Sequence, residues 1–338
     1  MILVKTPFRM SFFGGGTDLP DYFNANKGAV ISTAFDKYLH LTVRHLPRFF
    51  DYTTEIVYSK IERVTKLDDI NHPLVRNAMK YLDIHEMHIS YDADLPARSG
   101  LGTSSTFAVG LLNAFYHLKG KKASKRKLAD DAIYVERVLC NEAGGWQDQI
   151  AVAYGGFNRI DFKDNDYKVT PIKISKKRRQ QLSDNLLLFF TGFTRFSSEI
   201  QKETKSALDD AKKRLFLDKI LELVDEAQDV LENSKRDLDD FGRLLDETWN
   251  LKKNLSNSIS NSSIDLIYEK AKKAGALGGK LLGAGGGGFL VFYVPKEKQE
   301  KVREAVQLME VPFEFEDKGS EIVYQSSEVY DINENIEQ

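Results

Sequence analysis

The chain has 338 residues, more than one compact core usually holds, so two domains of roughly 150 residues each are expected. A hydrophobic fraction of 42% beside 29% charged residues is that of an ordinary globular protein, and a net charge of −2 excludes a global basic field for nucleic acid. The single cysteine, Cys140, excludes a disulfide framework and any multi-cysteine metal site, and no apolar run is long enough to span a membrane.

Residues 1–12 alternate weakly and predict a strand that runs into Gly14–Gly16. Lys5 and Arg9 interrupt its apolar stretch, so no signal peptide is expected and the expected location is cytoplasmic. Residues 28–45 and 54–60, rich in β-branched and aromatic side chains, predict strands. A short helix over 73–82 and a strand over 86–94 follow. Beyond LPARSGLGTSS, the residues Ala108, Leu111, Leu112, Phe115 and Leu118 repeat at helical spacing. Leu128, Ala132, Val135 and Leu139 mark one face of a second helix over about 126–142. Residues 146–162 read as loop and strand. The basic run Lys176, Lys177, Arg178 and Arg179 reads as a solvated helix start, and 185–191 as a buried strand. From about 198 to 255 the chain is helical and charge-dense, with an apolar stripe of Leu217, Ile220, Leu221 and Val224. A helix over 264–274, a strand–glycine turn–strand in KLLGAGGGGFLVFYV, a charged helix over 296–309 and a strand region over 311–325 complete the chain, before a polar tail. Strands cluster early and helices late, which predicts α+β domains over a doubly wound sheet. The weakest crossing point lies at 163–180, giving domains over 1–170 and 171–328 and a tail over 329–338.

Of 23 glycines, 17 fall in five clusters: 14–16, 100 and 102, 144–145, 155–156, and eight between 275 and 288. Glycine lets backbone approach a ligand closely, so the joint pattern suggests loops converging on something anionic or bulky. The segment Arg98, Ser99, Gly100, Leu101, Gly102, Thr103, Ser104, Ser105 follows a strand and opens a helix. Backbone N–H groups at such a helix start bind phosphate, though the same residues suit a simple hydroxyl-capped helix. It is not a Walker A loop, and GAGGGG at 283–288 lies between strands, which disfavours a dinucleotide fold.

Glu136 on a helix and Asp148 beyond the glycine pair Gly144 and Gly145 form the second signal. One such carboxylate can hold Mg²⁺ and another can orient or deprotonate a hydroxyl; for Glu136 the alternative is a surface ion pair with Arg137 or Lys127. The third signal is PFRMSFFGGGTD. Arg9, a charge inside a strand, requires an anion, either a carboxylate or a phosphate. Asp18 either binds sugar hydroxyls or closes a turn.

In this order the three motifs resemble those of the GHMP small-molecule kinase superfamily: PFRMSFFGGGTDLPDY its first, LPARSGLGTSSTF its second and KLLGAGGGG its third, over about 1–325. The GGGTDLP form is most similar to the first motif of D-glycero-D-manno-heptose 7-phosphate kinases, and fucose kinases carry a related one. The resemblance implies two α+β domains with the active site in the cleft between them. It also implies ATP and Mg²⁺, and a sugar or sugar-phosphate acceptor phosphorylated at C1. On this reading residues 98–105 wrap the ATP phosphates, Ser104 and Glu136 hold Mg²⁺, and Asp148 faces the acceptor hydroxyl. Arg9 pairs with Asp148 and the transferring group. Gly15, Gly16, Thr17, Asp18, Gly144 and Gly145 line the acceptor, and Gly285 and Gly286 of the third motif support phosphate loop and substrate. Galactose-type members carry an acidic residue and a histidine where this chain has Gly15 and Gly16, which argues for a larger acceptor. A 7-phosphate needs its own basic pocket, for which Arg98, Lys27 and Arg195 are candidates. The alternatives are another sugar 1-kinase of L-fucose type, or a non-catalytic sugar and nucleotide sensor.

Overall fold

The computed structural model of the chain describes residues 1–97, 99–192 and 210–326. Its first sheet has nine strands. In chain order these are β1 (Ile2–Phe13), β2 (Gly28–His45), β3 (Thr54–Val57), β4 (Ile61–Val64), β5 (Met87–Ala93), β6 (Phe157–Lys163), β7 (Asp166–Pro171), and the late strands Phe315–Glu316 and Glu321–Gln325. At 18 residues β2 is long enough to serve three partners along one edge. Gly28–Thr33 pairs with β6, Ala34 and Phe35 with Phe315–Glu316, and Leu39–His45 with β5. Its other edge takes β1, whose outer edge takes Glu321–Gln325. Among the described residues only the β3–β5 pairing is parallel.

The helices of this half are α1 (Pro20–Phe23), α2 (Pro73–Leu82), α3 (Thr103–Leu118), α4 (Lys125–Ile133) and α5 (Gln147–Tyr154). In α3 every residue from Ser105 to Tyr116 is buried, the mark of a helix enclosed on all sides. It packs on β1 and β2 on one side and on α2, α4 and α5 on the others. The basic run starts α6 (Lys176–Asp184), as the sequence predicts, and N-cap Ser175 accepts from the Arg178 N–H.

The second sheet is smaller: β8 (Leu186–Phe190), β9 (Gly278–Leu281) and β10 (Phe289–Tyr293), with Met309–Glu310 at one edge, all antiparallel. Helices α7 (Ala211–Glu232), α8 (Asp239–Lys253), α9 (Ser262–Ala274) and α10 (Gln299–Val306) accompany it, around a core that includes Trp249, Tyr268, Phe292 and Leu187. Helix α7 touches α8 as well as β1 and β2, and so ties the two halves together. Among the described residues no helix is long and apolar enough to cross a membrane.

Three expectations are corrected. The helix over 126–142 is α-helical only to Ile133; Tyr134–Leu139 is a π-helix, with Cys140 N–H donating to Val135 O at 2.8 Å. The stretch read as loop and strand begins with α5, so Asp148 stands in the first turn of a helix. The division at 170/171 does not hold for the sheets, because the strands at 315–316 and 321–325 return to the first one. Arg98, Arg195 and the tail over 329–338 lie outside the described residues.

Candidate active site

Gly102 stands at the N-cap of α3 with φ at 78°, a left-handed conformation that favours glycine, and no side chain caps the helix. The first-turn N–H groups therefore keep the partial positive charge of a helix start. The hydroxyls that had suggested a cap go elsewhere. Ser104 Oγ donates to Glu136 Oε1 at 2.6 Å and Ser105 Oγ to Oε2 at 2.8 Å. Thr103 Oγ1 and Ser99 Oγ are buried without a hydrogen-bond partner among the described residues. Leu101 buries its side chain in the core, so it offers this loop only backbone.

The π turn carries Glu136 inward, to 1% exposure, where Gln149 Nε2 also donates to Oε2 at 2.5 Å. No ion pair forms with Arg137 or Lys127: Arg137 Nε donates to Gly145 O at 3.1 Å, and Lys127 pairs with Asp131 at 2.7 Å. The carboxylate and the exposed Ser104 hydroxyl make an all-oxygen donor pair beside the helix start. Such a pair fits Mg²⁺, which takes one or two protein oxygens and completes its shell with phosphate and water.

Arg9 finds its anion in Asp148, 139 residues away. Nε reaches Oδ1 at 2.8 Å and Nη2 reaches Oδ2 at 2.7 Å, while Nη1 donates to Gly100 O at 2.7 Å. The forked pair is nearly closed to solvent on the arginine side, with Arg9 at 4% and Asp148 at 20% exposure. It joins β1, the phosphate-loop candidate and α5 at one point. The third motif meets them there. A Cβ on Gly283 would lie 2.4 Å from Gly100 Cα, and one on Gly288 would lie 2.1 Å from Ser99 O. Gly285 packs on Ile259 and Gly286 N–H donates to Ile259 O at 2.9 Å, which anchors the far end of that loop.

The acceptor loop departs from expectation. The Thr17 hydroxyl is fully buried, within hydrogen-bonding distance of Gly14 O (2.8 Å) and Ala29 O (2.9 Å), and it accepts from Ala29 N–H at 3.1 Å. It is an anchor of the loop, and the direct sugar contact expected of it is withdrawn. Thr17→Val should cost ~1–3 kcal/mol by stranding buried backbone groups. A thermal melt checks this; a raised acceptor KM with an unchanged melt would instead restore the ligand role. Asp18 accepts from Gly16 N–H at 3.0 Å and from Gln147 N–H at 3.3 Å, so it fastens the loop to the start of α5. Burial, with Asp148 nearby, pushes its carboxyl above the usual range. Gly145 lies so close that a Cβ would fall 1.8 Å from Asp18 Oδ2. The room expected at Gly16 is taken by Leu217 of α7, 2.9 Å from where its Cβ would be. Gly15 is open, and the nearest atoms to its Cβ position belong to Gln147 (3.9 Å) and Ser11 (4.0 Å). Lys27 is exposed in the turn before β2.

Sequence reasoning missed five residues here. Ser11 Oγ, Gln147 Oε1 and Gln149 Oε1 are buried without partners among the described residues around the loop and Asp148. Lys252 of α8 and Lys280 of β9 are buried lysines, donating to Gly283 O and to Phe12 O (2.8 Å) respectively. Burial and the Arg9 cation push Lys252 down to about 8, against the pull of Asp18 and Asp148. Burial, Lys252 and Arg9 hold Lys280 well below the usual lysine range. A charge inside a strand was the signal that exposed Arg9, and Lys280 carries the same one.

An uncapped helix start, a hydroxyl–carboxylate pair and an Arg–Asp fork can together receive a polyphosphate, a divalent cation and a hydroxyl. Two family models match the chain, one described as GHMP kinases N terminal domain over residues 72–156 and one as GHMP kinases C terminal over residues 223–309. A D-glycero-alpha-D-manno-heptose 7-phosphate kinase from Campylobacter jejuni is 30% identical over 319 residues, 90% of this chain and 93% of the relative. The crystal structure of a D-glycero-D-manno-heptose 1-phosphate kinase from Bacteroides thetaiotaomicron superposes with a TM-score of 0.76 at 26% identity, over 96% of this chain and 100% of the other. An L-fucokinase/L-fucose-1-P guanylyltransferase of Bacteroides fragilis is 27% identical over 88% of this chain and 35% of that longer protein.

Proposed function

The chain belongs to the GHMP kinase family, and from that premise and the site's geometry we propose that it is an ATP-dependent sugar kinase acting on the anomeric hydroxyl of D-glycero-D-manno-heptose 7-phosphate, yielding the 1,7-bisphosphate and ADP. The observation that carries the reading is the Arg9–Asp148 fork set against Gly100, which puts a hydroxyl-orienting carboxylate beside the uncapped start of α3. The first-turn N–H groups of α3 hold the phosphates. Ser104 and Glu136 hold Mg²⁺, which supplies charge neutralisation on the phosphate oxygens. Glu136 is kept facing Ser104 by Ser105 and Gln149. Asp148 accepts the hydrogen bond of the acceptor hydroxyl and takes its proton as the O–P bond forms and the bond to the ADP oxygen breaks. Little covalent help is needed, so alignment and charge carry the rate. Ser11 Oγ and Gln147 Oε1, without partners among the described residues and beside Gly15, receive acceptor hydroxyls. At Gly15, where a side chain would meet only ordinary contacts, the missing side chain favours a bulky acceptor over galactose; Gly16 adds no room, because Leu217 fills it.

A coupled ADP-release assay with heptose 7-phosphate, mannose, fucose and galactose tests the reading. The expected result is highest kcat/KM for heptose 7-phosphate and a product whose new phosphate sits on C1 by phosphorus NMR. Preference for fucose would move the protein to an L-fucose-type kinase. Tight ATP binding without turnover of any acceptor would make it a sensor.

A further inference from the structure

The arginine at this site has few donors left for a substrate. Nε and Nη2 face Asp148, and Nη1 faces Gly100 O. Phosphoryl transfer nevertheless spreads negative charge over three equatorial oxygens, and fixed positive charge aimed there is usually the largest catalytic effect. A second cation is present. Lys252, in the last turn of α8, is buried, and its ammonium donates to the carbonyl of Gly283. An ammonium has three N–H donors, and among the described residues Lys252 uses one and forms no ion pair. Gly283 in turn lies against Gly100 of the phosphate-loop candidate. The ammonium is therefore anchored on the loop that backs the phosphates, in the field of Arg9 from β1, Asp18 from the acceptor loop, Asp148 from α5 and Lys280 from β9. A buried, incompletely partnered charge is costly unless an anion completes it.

We propose that Lys252 is a catalytic residue whose ammonium, held by Gly283 O, donates to an equatorial oxygen of the transferring phosphoryl group. This rests on the kinase reading above. Lys280 does not share the role: its amine is held by Phe12 O within β1 and under the repulsion of Lys252 and Arg9.

The test compares wild type, Lys252→Met and Lys252→Arg in the full chain, with the best acceptor of the panel. Lys252→Met should lower kcat by ~10²–10³ while KM for ATP changes by less than about threefold, because the contact is made mainly in the transition state. The pH profile supplies a readout that a packing role would not move. Wild-type kcat/KM should fall as pH rises through about 8, where the free enzyme's ammonium loses its proton. Lys252→Arg should recover part of kcat and abolish that alkaline limb, since a guanidinium stays charged. The proposal is overturned if Lys252→Met keeps kcat within about threefold of wild type. It is equally overturned if both variants lose activity only in step with their folded fraction in a thermal melt. Should wild type turn over no acceptor, the kinase reading fails separately, and calorimetry with ADP and with ADP plus aluminium fluoride still reads the lysine. Selective loss of the fluoride-dependent tightening in Lys252→Met supports the role; unchanged tightening removes it.

Discussion

Asp148→Asn should lower kcat by ~10²–10⁴ with KM for ATP nearly unchanged. Asparagine keeps the volume and one acceptor oxygen, but it can neither take a proton nor complete the charge-assisted fork to Arg9. The acceptor hydroxyl then lacks a proton acceptor, and the guanidinium is freed to rotate off Gly100 O, where Nη1 now holds it. Asp148→Ala does more damage to the fold. It leaves Arg9, 4% exposed, without its anion, and breaking a buried pair this way costs ~3–5 kcal/mol. Steady-state kinetics at a pH where wild type is fully active, with a thermal melt on the same samples, separates the two effects. A kcat within about tenfold of wild type for a fully folded Asp148→Asn enzyme would show that the carboxylate only orients the hydroxyl.

How far this site could be read in advance differs from residue to residue. Arg9 was legible because a charge inside an apolar strand demands an anion; that the partner is Asp148 followed only from the family resemblance, since the residues alone left the anion open and the pair is made by tertiary structure across 139 residues. The glycine density at 100–102 and 283–288 marked loops, and the clashes that side chains would meet there give the reason: two backbones lie in contact. Helix α5 was missed because the glycine pair before it and the run IAVAY in an eight-residue helix mimic loop and strand. The π turn was invisible for a different reason. Leu128, Ala132, Val135 and Leu139 satisfy an α-helical stripe, yet the wider turn after Ile133 leaves Leu139 37% exposed while Glu136 goes in. Thr17 shows the limit for hydroxyls, since composition does not say whether an O–H meets a ligand or its own backbone. Lys252 was hidden among the surface charges of α8, and only burial sets it apart from its neighbour Lys253.

Gly100→Ala should reduce kcat/KM for ATP by at least ~10²-fold, the scale on which a displacement of about 1 Å at a reacting centre is felt. Two penalties act at this position. Its φ of +82° lies where an L side chain is strained by roughly 1–2 kcal/mol. A methyl group there would also sit 2.2 Å from Leu282 O and 2.9 Å from Leu282 C, which are backbone atoms that no rotamer change can move. The loop must part from the third motif, and Gly100 O, Gly283 and the Arg9 fork shift with it. Gly120→Ala is the control. Its φ of +66° carries a similar strain, but among the described residues nothing lies within 4 Å of the added carbon. That variant should lose about 1 kcal/mol of stability and keep wild-type KM for ATP. Melting temperatures and ATP kinetics on both decide the matter. Equal stability losses with normal ATP kinetics in both variants would mean that the 100–102 loop and the third motif can separate without disturbing the phosphates. Loss of ATP kinetics in Gly100→Ala alone would tie the transfer step to the contact between those two backbones.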